Sequence, residues 1–111
     1  MGKGQGGMGN MLREAQKQAQ QMQKQLAQVE EELKERIVDG SAGGGMVQAY
    51  ANGKRELVGI KISPEVVDPE DVDMLEDLVT AAVAQALKKA NDLHQEEMGK
   101  ITGGLSMPGL F

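Results

Sequence analysis

From Leu12 the apolar positions recur as Leu12, Ala15, Ala19, Met22, Leu26, Val29 and Leu33, alternately three and four residues apart. That is an unbroken a/d heptad seam, the mark of a helix that lays one narrow stripe against a partner helix. Asn10 suits the position of an N-cap, and Glu14 close behind it approximates a capping box. The helix predicted from Asn10 through Arg36 would be about 40 Å long at ~1.5 Å per residue, longer than a small domain is wide. It must project from the domain or find a partner, and the seam can pair either within one chain or across two.

After Arg36 the period changes. Ile37-Val38-Asp39-Gly40 reads as a short strand, and Ser41-Ala42-Gly43-Gly44-Gly45 cannot stay helical at reasonable cost. Met46 to Ala51 and Lys54 to Ile62 are two further strand candidates separated by Asn52-Gly53, which predicts a two-residue type I′ hairpin. With that loop, Val47, Ala49, Val58, Ile60 and Ile62 share one face, expected to be buried. Tyr50, Arg55, Leu57 and Lys61 share the other. Asp68 is then the expected N-cap of a second helix, with Pro69 at its first position and acids in its first turn. Its stripe runs Val72, Leu75, Val79, Ala82, Ala86, Ala90, Leu93, and the helix is expected to reach about Met98. The predicted class is α+β in the order α-β-β-β-α: a long helix, a three-stranded antiparallel sheet and a second long helix.

Residues 10–98 are expected to form a single domain, between a flexible Gly-rich tail at 1–9 and a flexible tail at 99–111. The chain has one Tyr, one Phe and no Trp, so its core must come from aliphatic residues and Met, and it will be modest. Small domains bury a smaller share of their surface, which favours self-association. The absence of cysteine removes disulfides, thiolate metal sites and thiol nucleophiles together, and fits a reducing cytosol. No apolar run approaches the roughly 20 residues of a membrane span, and the start has no signal-peptide hydrophobic segment. A cytoplasmic protein is expected.

The net charge is −5, which at face value opposes an acidic partner. The charge is unevenly spread, however. Residues 1–28 carry Lys3, Arg13, Lys17 and Lys24 against Glu14 alone, whereas residues 64–77 carry seven carboxylates and no base.

Several local strings then resemble the YbaB/EbfC family of nucleoid-associated proteins. They are Gly9-Asn10-Met11-Leu12-Arg13-Glu14-Ala15-Gln16-Lys17, Gly40 to Gly45, Asn52-Gly53, and Asp68-Pro69-Glu70-Asp71 with Met74-Leu75-Glu76-Asp77-Leu78. Their order and spacing cover about ninety residues, leaving out only the two tails. The resemblance implies a homodimer with a sheet-containing core and protruding helical arms, DNA binding with limited sequence preference, and a role in nucleoid organisation or gene regulation. It implies no catalytic motif, no cofactor and no small-molecule substrate.

With Leu12 at heptad position a, Arg13 falls at b and Lys17 and Lys24 at f, so the three bases form a stripe away from the seam. The flanking e and g positions before Glu30 are Gln16, Gln18, Gln23 and Gln25, which neither repel phosphate nor form competing ion pairs. Lys54 and Arg55 at the hairpin tip, and Lys88 and Lys89 on the second helix, are candidates to extend the stripe. The plain alternative is that these are solvated surface bases. At ~0.1 M salt the Debye length is about 10 Å, so a basic patch far from the acidic segment acts on its own. No base-reading helix motif is present and aromatic residues are too few for stacking on single strands, so duplex DNA would be held through phosphates and shape. The competing function is a protein-interaction or chaperone-like coiled-coil module with Met-rich ends.

Other signals carry less. Gly40 to Gly45 lacks the Lys-Ser/Thr ending of a phosphate loop. The acids Glu70, Asp71, Asp73, Glu76 and Asp77 favour a helix start and lack calcium-loop spacing, so no metal site is expected. His94, the only histidine, reads as a helix-surface residue, and no elbow motif supports pairing it with Ser41, Ser63 or Ser106. Met22 reads as a core filler. Glu30 and Glu32 have bases four residues on, Lys34 and Arg36, which reads as helix support.

Overall fold

A computed structural model describes the backbone of residues 2–102 and the side chains of residues 8–101. The elements run in the expected order: α1 (Gly2–Glu35), β1 (Ile37–Ala42), β2 (Val47–Asn52), β3 (Leu57–Ile62), a 3-10 turn at Pro64–Val66 and α2 (Val72–Thr102). The sheet is antiparallel with β2 in the centre, in the order β1-β2-β3.

The helix boundaries differ from the sequence expectation at three points. Helix α1 begins at Gly2, so Asn10 lies inside it and caps nothing. Nucleation is the costly step of helix formation; once Leu12 to Leu33 have formed a helix, extension through glycines costs only about 1 kcal/mol each, and no proline stands in the way. Helix α2 starts at Val72, and its cap is Asp71, whose Oδ1 accepts from the amide of Met74 at 3.3 Å. Asp68 instead makes an Asx turn, accepting from Glu70 N at 2.9 Å, with Pro69 pre-set for the turn. At its other end α2 passes Met98 and continues to Thr102. Residues 103–111, the rest of the expected C-terminal tail, lie outside the described residues, as does Met1.

The Asn52-Gly53 signal marks a hairpin, but not a two-residue one. The amide of Arg55 donates to Asn52 O at 3.0 Å and the amide of Asn52 to Glu56 O at 2.9 Å, and Arg55 has φ 67° while Gly53 is not left-handed. This is a three-residue loop, a turn followed by one left-handed residue. What selects it is the Asn52 side chain, which is 3% exposed. Its Oδ1 accepts from Lys54 N and Glu56 N, and its Nδ2 donates to Glu56 Oε1. The longer loop and a bulge at Tyr50/Ala51 together move the register, so that Val47 pairs with Ile62 and Ala49 with Ile60. That slip is an even number of residues, so most side chains keep the face expected of them. Between the loop and the bulge the slip is odd, so Leu57 stands opposite Ala51 and turns to the α2 side.

Helix α2 crosses that side of the sheet through Ala82, Ala86 and Ala90, all fully buried against Val47, Ala49 and Ala51. Alanine is what lets the helix approach so closely. A Cβ on Gly40 would come within 2.4 Å of the backbone at Ala82 and Ala86. Because α2 lies over β1 and β2, its cover stops short of β3. Val58, Ile60 and Ile62, expected in the core, are therefore exposed at 53%, 43% and 38%. The edge of β1 is protected differently: the amide of Ser41 donates to Gln85 Oε1 of α2 at 2.7 Å.

Candidate nucleic-acid interface

Among the described residues, helix α1 is fastened to the rest of the chain only near its C-terminal end. The amide of Gly53 donates to Leu33 O at 2.8 Å and to Arg36 O at 3.0 Å, giving two of the last carbonyls of the α1 region a partner. Leu33 is buried beneath the hairpin. Arg36, just past the helix, donates through Nη1 to Glu97 Oε1 of α2 at 2.9 Å, not to Glu32 as the i+4 spacing suggested. Lys100 Nζ meets the same Glu97 oxygen at 3.1 Å, and these two hydrogen bonds hold the Glu97 carboxyl below the usual glutamate range. Glu30 faces His94, with Oε1 3.8 Å from Nε2. His94 thus lies between the helices, its side chain 15% exposed, rather than on the free surface.

Beyond this clasp, burial along the seam falls away. Leu33 is buried, Val29, Leu26 and Met22 are half-buried, and Ala19, Ala15 and Leu12 are exposed. Met22 therefore belongs to the arm and not to a core. Lys100 and Ile101 lie beside Gln25, Gln28, Val29 and Glu32, so α2 ends level with about Gln25, and no other described element accompanies α1 beyond it. The chain accordingly measures 84 × 26 × 17 Å.

This geometry sorts the candidate bases. Arg13, Lys17 and Lys24 all stand exposed on the lone part of α1, spread over about 16 Å at ~1.5 Å per residue. Arg13 and Lys17 line one shallow depression with Asn10, Glu14, Gln16 and Gln20. Lys54 and Arg55 sit at the hairpin tip, against the base of the arm rather than along it. Lys88 and Lys89 are exposed on α2, alongside the sheet, and Lys88 is paired with Asp92 at 3.1 Å. One chain therefore joins the first three bases and leaves the other four apart. The acids of the α2 start lie at the opposite pole. Along the two helices, Val72 and Arg13 are separated by about 60 Å at ~1.5 Å per residue, several Debye lengths at ~0.1 M salt.

Sequence reasoning missed the clasp of Arg36, Glu97 and Lys100 and the exposure of β3. A pairing 61 residues apart leaves no local signal, whereas the role of Asn52 was readable in its spacing to Glu56. Among the described residues no group of His, Asp or Glu is arranged to hold a metal ion, and no helix is long and apolar enough to cross a membrane.

Residues 5–105 match the YbaB/EbfC DNA-binding family. The chain is 59% identical over 95 residues to a nucleoid-associated protein of Caldanaerobacter subterraneus, covering 86% of each. It is 58% identical over 106 residues to a nucleoid-associated protein of Clostridium perfringens, covering 96% of this chain and 94% of the relative. In three dimensions it is similar to the crystal structure of an uncharacterized protein from Helicobacter pylori, with a TM-score of 0.68 at 25% identity, over 83% of this chain and 94% of that one.

Proposed function

The chain belongs to the YbaB/EbfC DNA-binding family, and from that premise we propose that it binds duplex DNA as a homodimer, holding phosphates and helix shape with its α1 arms. The family is one of nucleoid-associated DNA-binding proteins and not of enzymes. In this reading the protein acts on the nucleoid in the bacterial cytoplasm, altering DNA conformation and thereby nucleoid organisation or gene expression.

The observation that carries the proposal is the separation of charge along the molecule. A chain of net charge −5 can hold a polyanion if its bases lie on an arm pointing away from its acids, because salt screens the distant carboxylates while contacts on the arm remain. Arg13, Lys17 and Lys24 meet that condition toward the acids of the α2 start, with Glu14 the one carboxylate among them. Lys54, Arg55, Lys88 and Lys89 are the auxiliary contacts of this reading, reached where the duplex passes the base of the arm or the flank of α2.

Support for a homodimer comes from the apolar side chains that one chain leaves uncovered. Leu57, Val58, Ile60 and Ile62 of β3 are exposed, and Met46 adds to them. Met46 is tied to the end of β3 by the hydrogen bond from Ser63 N to Met46 O. A patch of this kind on a small domain marks an interaction surface, and a two-fold axis through it would double the set of arms.

The test is fluorescence anisotropy on a labelled duplex across a salt series. Six phosphate contacts from two arms give a slope of about −5 in log K against log salt. The combined variant Arg13→Glu, Lys17→Glu, Lys24→Glu is expected to abolish binding while circular dichroism and dimer mass stay unchanged. Undiminished binding by that variant refutes the placement on α1, and no duplex binding at low salt refutes the function.

A further inference from the structure

We infer that the outer face of the α1 arm enters the major groove of the duplex, where the side-chain amides of Asn10 and Gln20 read adenine while Arg13, Lys17 and Lys24 hold the phosphates along its walls. The inference rests on the preceding reading, that the α1 arms bind duplex DNA, and adds base contact to it.

The starting point is that no other described element accompanies α1 beyond Gln25. A lone α-helix with its side chains is about 10–12 Å across, and the major groove of a duplex is about 12 Å wide. A helix packed along its domain offers DNA a single strip, whereas this arm can be flanked by both walls of the groove.

The polar side chains that would meet the groove share one face. At about 3.6 residues per turn, Asn10, Arg13, Lys17, Gln20 and Lys24 fall within about 80° of one another, on the side away from Leu12, Ala15 and Ala19. All of them are exposed. Asn10, Arg13, Lys17 and Gln20 line one depression, with Glu14 on one flank and Gln16 on the other. From Asn10 to Lys24 the face is about 21 Å long at ~1.5 Å per residue, which matches about six base pairs at ~3.4 Å each.

These side chains are uncommitted within the chain. Among the described residues none of them makes a side-chain hydrogen bond or ion pair, whereas Arg36, Lys88 and Lys100 each meet a carboxylate of α2. The donors and acceptors of the arm are left for a ligand.

Side-chain length and chemistry then divide the roles. The long stems of Arg13, Lys17 and Lys24 reach outward to the walls, and the shorter amides of Asn10 and Gln20 stay at the floor. A carboxamide carries a donor and an acceptor side by side. Adenine presents an acceptor and a donor together in the major groove, N7 and the N6 amino group, and Asn or Gln meets both at once. Guanine offers two acceptors there and cytosine a donor alone, so only adenine satisfies both groups of the amide.

Replacing adenine by 7-deazaadenine throughout an adenine-rich duplex tests the inference, because it deletes the N7 acceptor and leaves base pairing and the minor groove unchanged. Fluorescence anisotropy on the full chain is expected to show about tenfold weaker binding to the substituted duplex, within what a bidentate base contact contributes. In the variant Asn10→Ala, Gln20→Ala the two duplexes should bind equally, with the salt slope unchanged because the phosphate contacts remain. Alanine favours helix at both exposed positions, and circular dichroism verifies the arm. Gln18→Ala, which removes the same amide from another face of α1, should keep the tenfold difference. Equal binding of the two duplexes by the parent chain overturns the inference and leaves duplex binding intact. A difference that survives Asn10→Ala, Gln20→Ala or vanishes in Gln18→Ala overturns it too. Binding of neither duplex at low salt overturns the preceding reading, and this one with it.

Discussion

Gly53 and Leu33 are joined at a point where no side chain could intervene. The Gly53 amide donates to the Leu33 carbonyl at 2.8 Å, and a Cβ on Gly53 would stand 2.7 to 2.9 Å from Leu33 Cδ2, O and Cβ. The hairpin tip thereby serves as the seat of α1, and the direction of a helix 34 residues long is set by a contact at its last turn. Gly53 is needed for close approach and not for a left-handed backbone.

Replacing Gly53 by Ala is expected to destabilise the chain by about 2 kcal/mol, because a backbone carbonyl must move to admit the methyl. Chemical denaturation measures the loss. Small-angle scattering should show an altered arm direction, and an unchanged profile with unchanged stability would refute the seat.

Gly40 is packed as closely inside the core. The methyl of Gly40→Ala meets helix backbone at Ala82 and Ala86, so α2 must lift from the sheet. The expected cost is about 3 kcal/mol, read as a lower thermal midpoint. A wild-type midpoint would show that the helix yields freely there.

Asn52→Ala removes three side-chain hydrogen bonds from a buried position. Two backbone amides, those of Lys54 and Glu56, lose the acceptor that shapes the loop, at an expected cost of about 2 kcal/mol. Asn52→Asp should restore the acceptor but not the donation to Glu56, and denaturation should place it between the two.

Acid should loosen the clasp. Hydrogen bonds from Lys100 and then Arg36 lower the Glu97 pKa, so the stabilisation is present above the unfolded glutamate pKa of about 4.3 and is lost as pH falls through the lower folded value. Exchange of amides in residues 29–36 should accelerate across that interval, and Glu97→Gln should remove this pH dependence. An identical acid profile in Glu97→Gln would mean that another carboxyl is responsible.

Ile60→Glu places a charge in the exposed apolar patch of β3 without touching the α2 core. Sedimentation equilibrium is expected to give twice the chain mass of 11.9 kDa for the parent and a single mass for the variant. A variant that remains dimeric would move the interface elsewhere on the chain.

Much of this architecture can be read locally. The heptad seam specified α1, the acidic first turn and alanine-rich stripe specified α2, and the Asn-Gly pair marked the hairpin, because each depends on neighbours within a few residues. The errors were local rules applied without their competitors. Asn52-Gly53 met the requirement of a type I′ turn, yet the side chain of Asn52 reached two amides and favoured a longer loop. Asp68 met the requirement of a cap, yet Asp71 was the carboxylate placed three residues before a free helix amide. Ile60 and Ile62 had the alternation of buried strand residues, but alternation assigns a face and not the width of the helix that covers it.

The candidate interface divides in the same way. Periodicity alone put Arg13, Lys17 and Lys24 on one stripe of α1, since three bases on one helix keep their spacing whatever surrounds them. Their usefulness toward a polyanion depends on the distance to the acids of α2, and no spacing along the chain encodes that. It was decided by Gly53 seating α1 at its base, by Arg36 reaching Glu97, and by α2 ending level with Gln25. Contacts between residues tens of positions apart form only when the sheet brings them together, so the order of elements came from the sequence and the separation of charge from the tertiary structure.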